Sequence, residues 1–164
     1  MFNEKHTLIA LVEDKPGVLN RVASLFRRRG FNIQSLAVGS CEQAGLSRMT
    51  VVVVGDSAMV EQVRKQLDKL INVVRVSDIT DEHMVARELA LIKVKATALT
   101  RSEIIQIVDI FRANIVDVAL DSVTVEVTGD EDKVESLIKL LQGFGIKETS
   151  RTGRIALTRG AVKG

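Results

Sequence analysis

The turn Asp14-Lys15-Pro16-Gly17-Val18-Leu19 combines residue types and spacing that suit the binding of a small zwitterion. It follows an apolar run, residues 7–12, and opens a helix predicted from about Gly17 to Arg29. Pro16, the only proline in the chain, fixes its own φ and has no N–H, and Gly17 can take a backbone angle closed to other residues. The N–H groups of Gly17, Val18 and Leu19 then face outward without intrahelical partners, at the positive end of the helix dipole. Such an end attracts a carboxylate, while Asp14 on the rim can accept from an ammonium group. A free amino acid carries both groups. Taken alone, the turn also has a plainer reading, a strand-to-helix connection capped by water and Asp14.

Signals for catalysis are missing. His6 and His83 lie far apart, and neither has metal-ligand spacing with Cys, Asp or Glu. No glycine-rich phosphate loop and no local signature of a Ser, Cys or Lys nucleophile occurs. A site assembled from distant residues stays open, but His6 reads as the start of a strand and His83 as linker surface. Arg27, Arg28 and Arg29 sit at a helix end that favours cations, which is a simpler account than a nucleic-acid patch. The net charge of +2 is too small to argue for a polyanion, and aromatics at 3%, five Phe without Trp or Tyr, disfavour base stacking. A lone Cys41 cannot form an internal disulfide, which suits a reducing compartment. No apolar run reaches the ~18–20 residues of a membrane span, and Glu4, Lys5 and His6 stand where a signal peptide is apolar. A cytosolic binding protein is the expectation.

The elements that must position the turn follow from periodicity. Val18, Val22, Leu25 and Phe26 form one helical stripe. Residues 31–38 alternate as a half-buried strand, and 46–54 form its hairpin partner. Met59, Val60, Val63, Leu67 and Leu70 mark a second helix, and 73–76 a fourth strand. The order βαββαβ is that of an antiparallel four-stranded sheet with both helices on one face, the ferredoxin-like plait, an α+β fold. Residues 80–86 read as a linker. The order then recurs: a strand over 89–96, a helix marked by Ile104, Ile105, Val108 and Phe111, a hairpin over 115–127, a helix marked by Val134, Leu137, Ile138 and Leu141, and a final arm over 145–157. Gly55-Asp56 and Gly129-Asp130 end equivalent strands, each with an acid placed to cap the next helix. The expected domains are 1–79, a linker at 80–86, and 87–164. The second copy has Ala98-Leu99-Thr100-Arg101-Ser102 where the first has its Pro-Gly turn, so the two are not functional duplicates.

Val12-Glu13-Asp14-Lys15-Pro16-Gly17-Val18-Leu19 within βαββαβ order resembles the ACT domain, an amino-acid-sensing regulatory module. Four further stretches narrow the likeness: residues 26–36, 46–50, 111–118 and 151–157 resemble the small, regulatory subunit family of acetolactate synthase (acetohydroxyacid synthase), and the match covers about residues 6–160. The resemblance implies a chain with no catalytic residues of its own. Its partner would be a catalytic large subunit that uses thiamine diphosphate, Mg and FAD to condense pyruvate with pyruvate or 2-oxobutyrate, the first common step toward valine, leucine and isoleucine. It implies that the small subunit activates that enzyme and confers feedback inhibition, usually by valine. In the family the ACT domains pair side by side, as a homodimer, with the effector at the interface. Carried onto this sequence, Gly17, Val18 and Leu19 would hold the valine carboxylate and Asp14, where family members more often have Asn, would face its ammonium. Asn32 and Ile33 would come from the partner chain, Ile33 lining a pocket that could also admit leucine or isoleucine. A stand-alone amino-acid sensor or nucleic-acid-binding regulator on ferredoxin-like modules is the competing reading; it would need a basic face and steep salt dependence.

Overall fold

The first apolar run is longer than its sequence signal. In the computed structural model, which describes residues 4–160, it is strand β1, Glu4–Glu13. Helix α1 spans Val18–Arg28, strands β2 and β3 span Asn32–Ser40 and Leu46–Gly55, α2 spans Ser57–Asp68, and β4 spans Val73–Asp78. All pairings are antiparallel and the strand order is β2-β3-β1-β4, which is the ferredoxin-like arrangement. Leu8, Ala10 and Val12 of β1 and Met49, Val51 and Val53 of β3 share one face, because alternate residues point the same way. The apolar stripes of the helices, Val18, Val22, Leu25 and Phe26 on α1 and Val60, Val63 and Leu67 on α2, close over it. Burying a Val or Leu contributes about 1.5–3 kcal/mol, so this layer dominates the stability of the unit.

Two devices end the helices where the sequence places them. Asp56 accepts a hydrogen bond from the Ala58 N–H at 2.7 Å, satisfying one orphan donor of α2. After α1, Gly30 at φ 74° lets the Phe31 N–H reach back to the Phe26 carbonyl at 3.0 Å. Phe31 then sets its ring edge-on to Phe26, centroids 6.4 Å apart.

The second unit repeats the plan. Strand β5 is Met84–Lys95, followed by α3 Arg101–Ile110, β6 Asn114–Val118, β7 Ser122–Gly129, α4 Glu131–Gln142 and β8 Ile146–Arg151. Its strand order, β6-β7-β5-β8, is that of the first sheet. Ala90, Ile92 and Val94 with Val123, Val125 and Val127 meet Ile104, Val108, Val134, Leu137 and Leu141 in its core. Asp130 caps α4 through the Lys133 N–H at 2.9 Å. Arg112 takes the position that Gly30 holds in the first copy and adopts φ 53°, with the Ala113 N–H bonded to the Val108 carbonyl at 2.9 Å.

Three boundaries differ from expectation. Strand β5 begins at Met84, so the last part of the 80–86 segment is already strand. The single final arm is two strands, β8 and β9, Ile155–Thr158. The second unit spans Ala86–Thr152, and among the described residues the segment 153–160 groups with the first unit, which otherwise runs to Val85. The expected 87–164 domain is shortened accordingly. Periodicity could not reveal this, because a strand's pattern says that a face is covered and not which sheet it covers. His6 also differs from a mere strand start. It is buried, with Nδ1 3.0 Å from Asp78 Oδ2, and it ties the beginning of β1 to the end of β4.

Candidate functional site

Asp14 through Leu19 form the turn between β1 and α1, and the fold holds this turn from three sides. The Asp14 N–H donates to the Gly45 carbonyl at 2.9 Å, and the Glu13 N–H to the Asn72 carbonyl at 2.8 Å. Gly17 adopts φ 85° as the residue that caps α1, a conformation L side chains rarely adopt. No side chain caps the helix, and its first turn contains no acid. The Val18 N–H reaches the Lys15 carbonyl at a long 3.4 Å, whereas no backbone acceptor among the described residues takes the N–H of Gly17 or Leu19. Val18 is buried in the core, so it serves as the anchor of the turn, while Asp14, Gly17 and Leu19 are exposed.

Sequence reasoning missed two neighbours, Arg21 and Asn72. The Arg21 guanidinium lies over Gly17, with Nη2 4.0 Å from where a Cβ would stand, and its Nη1 donates to Asn72 Oδ1. Asn72 Nδ2 in turn donates to Glu13 Oε2 at 2.8 Å. The Asn72 amide, and then Lys15 at 3.1 Å, hold the Glu13 carboxyl below the usual glutamate range. The turn therefore carries a fixed cation next to unsatisfied N–H groups. Arg21 stands four residues after Gly17, one helical turn on, which is the signal that could have found it. Asn72 lies too far along the chain for any such signal.

Asn32 and Ile33 are elsewhere. Asn32 pairs with Val54, and Val54 with Lys5, whereas Glu13 pairs with Leu46 at the other end of the sheet. Eight residue steps separate Lys5 from Glu13, about 27 Å along a strand. Within one chain Asn32 and Gly17 thus stand at opposite ends of the sheet. Ile33 packs partly into the helix-side core, and Asn32 is exposed. Both lie on β2, whose outer edge no strand of the described chain pairs.

Rival chemistry finds little to build on. Among the described residues no three His, Cys, Asp or Glu side chains gather as metal ligands, and no helix is long and apolar enough to cross a membrane. The helix-free face of the second sheet has an open hollow of about 500 Å³ beside Leu91, Lys93, Asp117, Thr124 and Glu148, where Lys93 and Glu148 pair at 3.4 Å.

Two family profiles divide the chain between them: an acetohydroxyacid synthase small-subunit-like ACT domain matches residues 8–75, and the small subunit of acetolactate synthase matches residues 87–160. The chain belongs to the acetolactate synthase small-subunit family. The probable acetolactate synthase small subunit of Archaeoglobus fulgidus is 60% identical over 159 residues, spanning 97% of this chain and 99% of that one. The acetolactate synthase small subunit of Mycobacterium bovis is 55% identical over 160 residues, 98% and 95% of the two chains. A crystal structure of the acetolactate synthase small subunit from Thermotoga maritima superposes with a TM-score of 0.88 at 44% identity, covering 97% of this chain and 99% of that chain. The double ferredoxin-like architecture of this acetolactate synthase small-subunit relative is therefore shared. With the family comes its general role, regulation of acetolactate synthase in branched-chain amino-acid biosynthesis.

Proposed function

We propose that this chain acts as a homodimer that activates a catalytic large subunit and makes it sensitive to valine, which binds where two ACT domains meet. The observation that carries this reading is the separation of Gly17 and Asn32 at opposite ends of one sheet. A two-fold axis beside the free edge of β2 would set two copies of that strand antiparallel. The partner's Asn32 would then lie beside the Ser40 end of this chain's β2. Ser40 pairs with Ser47, next to Leu46 and Glu13, which is the end that carries the Pro-Gly turn. Two chains could complete a site that one cannot.

In that site the N–H groups of Gly17 and Leu19 and the nearby Arg21 take the effector's carboxylate. Asp14 faces its ammonium, and Asn32 and Ile33 of the second copy meet the rest of the zwitterion and the isopropyl group. Valine favours the dimer arrangement it bridges, and inhibition follows if the large subunit responds differently to that arrangement. The thiamine diphosphate, Mg and FAD chemistry belongs to the large subunit. Calorimetric titration of the purified chain with L-valine, with D-valine and L-leucine as controls and sedimentation in parallel, tests this. Saturable L-valine binding by a dimer supports the site; a monomer, or a chain that ignores valine alone and with the large subunit, overturns it.

A further inference from the structure

The helix-free face of the first sheet is crossed by the returning C-terminal arm. Thr7, Val52 and Ser35 lie in one row across β1, β3 and β2, as their pairings show. Arg154 spans the row: its N–H donates to Ser35 Oγ at 2.8 Å and its Nη1 to Thr7 Oγ1 at 3.1 Å. Farther along the arm, Arg48 Nη2 donates to the Ala156 carbonyl at 2.8 Å, and Ala156 is buried. Gly153 presses on β2 so closely that a Cβ there would overlap the Leu36 carbonyl and stand 2.9 Å from the Leu36 nitrogen.

The seat of the arm depends on an irregularity in β2. Ile33 pairs with Val53 and Ser35 with Val52, so Gln34 is an extra residue without a cross-strand partner, a β-bulge. In a regular strand Ile33 and Ser35 would share a face. The bulge instead leaves Ile33 and Leu36 both packed toward the helices and turns Ser35 to the arm. The residues on either side of Gln34 thus have different duties: Asn32 and Ile33 before it belong to the proposed effector site, and Ser35 and Leu36 after it hold the arm.

We infer that the arm from Gly153 to Thr158 is a strap whose seating on β2 is coupled, through the bulge at Gln34, to effector occupancy at Asn32 and Ile33. The inference rests on the valine site proposed above. An effector that fixes Asn32 and Ile33 restrains the bulge and so the row of Ser35, Val52 and Thr7 under Arg154. By reciprocity, loosening the strap weakens effector binding. The chain passes from Thr152, the last residue of the second unit, through Gly153 to Arg154, so the strap begins at one of the two covalent connections between the units, the other being Val85 to Ala86.

Amide hydrogen exchange of the full-length chain with and without L-valine tests the coupling, with calorimetry on the same samples. In the unaltered chain, saturating valine should slow exchange in 153–158 as well as 32–36. Ser35→Ala removes one acceptor without adding bulk and should speed exchange of the Arg154 amide about three- to tenfold while weakening valine binding by a similar factor. Gly153→Ala should unseat the strap more completely. Should Gly153→Ala fail to fold, Ser35→Ala still decides. Valine binding that leaves exchange in 153–158 unchanged, or a Ser35→Ala chain that binds valine undiminished with its arm loosened, overturns the strap and spares the valine site. Absence of valine binding at Asn32 and Ile33 in the unaltered dimer overturns both.

Discussion

Asn72 donates its Nδ2–H to Glu13 Oε2 at 2.8 Å while its Oδ1 accepts from Arg21, so one amide at the start of β4 orients both charges beside the Pro-Gly turn. Glu13 has its pKa lowered first by Asn72 and then by Lys15. A depressed carboxyl contributes stability above its unfolded pKa, and that contribution is lost as pH falls through the folded value, below the ordinary glutamate range. Asn72→Ala should raise the Glu13 pKa toward that ordinary value, followed by carboxyl NMR titration. The same variant frees Arg21, so L-valine binding should weaken, measured by calorimetry at neutral pH.

Gly17→Asp places a side chain at a residue with φ 85° and a carboxylate where the effector's would sit. The backbone strain costs roughly 1 kcal/mol, which a folded unit of this size tolerates. L-valine binding should fall more than about tenfold, corresponding to ~1.4 kcal/mol, while the far-ultraviolet circular dichroism and dimer state stay unchanged. Activation of a large subunit should survive, and joint loss of activation and folding would mark a structural defect instead.

The two Gly-Asp corners should respond unequally to the same change. A Cβ at Gly55 would overlap the Phe31 ring, standing 3.0 Å from its Cδ1, and Phe31 is buried against Phe26. Gly55→Ala should destabilise by about 1–3 kcal/mol, as overpacking does. At Gly129 the obstacle is the Lys133 side chain, whose Cδ would stand 2.5 Å and whose Cβ and Cγ would stand 3.2 Å from the new atom; this half-buried chain can turn aside by giving up the 3.1 Å bond from its Nζ to the Thr128 carbonyl. Gly129→Ala should cost less. Thermal unfolding of both variants settles the comparison.

Arg112 is the only non-glycine residue with positive φ among those described, at 53°. Arg112→Gly removes the left-handed penalty of roughly 1–2 kcal/mol but adds freedom to the unfolded chain. A net gain of about 0.5–1 kcal/mol in urea unfolding is expected.

Much of the fold was legible because its signals are local. The stripe Val18, Val22, Leu25, Phe26 and the caps Asp56 and Asp130 are set by residues within a helical turn or two of each other, and the structure places them as their spacing predicts. The Pro-Gly turn was legible for the same reason, since Gly17 needs only its own backbone to leave donors unpaired. One local signal went unread: the apolar phase of β2 slips between Ile33 and Leu36, three apart instead of two, which marks the bulge at Gln34.

The sequence by itself determined the two βαββαβ units, their helix ends and the turn that can face a carboxylate. Tertiary structure alone decided that Asn72 orients Arg21 and Glu13 and that Gly17 and Asn32 stand at opposite ends of one sheet. It also decided that Gly153, Arg154 and Ala156 return to cover the first sheet. The physical reason is range. Periodicity and caps are governed by neighbours a few residues away, whereas these relations depend on strand register and on which face buries which segment, and such pairings join residues from 22 positions apart, as Asn32 and Val54, to 147, as Thr7 and Arg154.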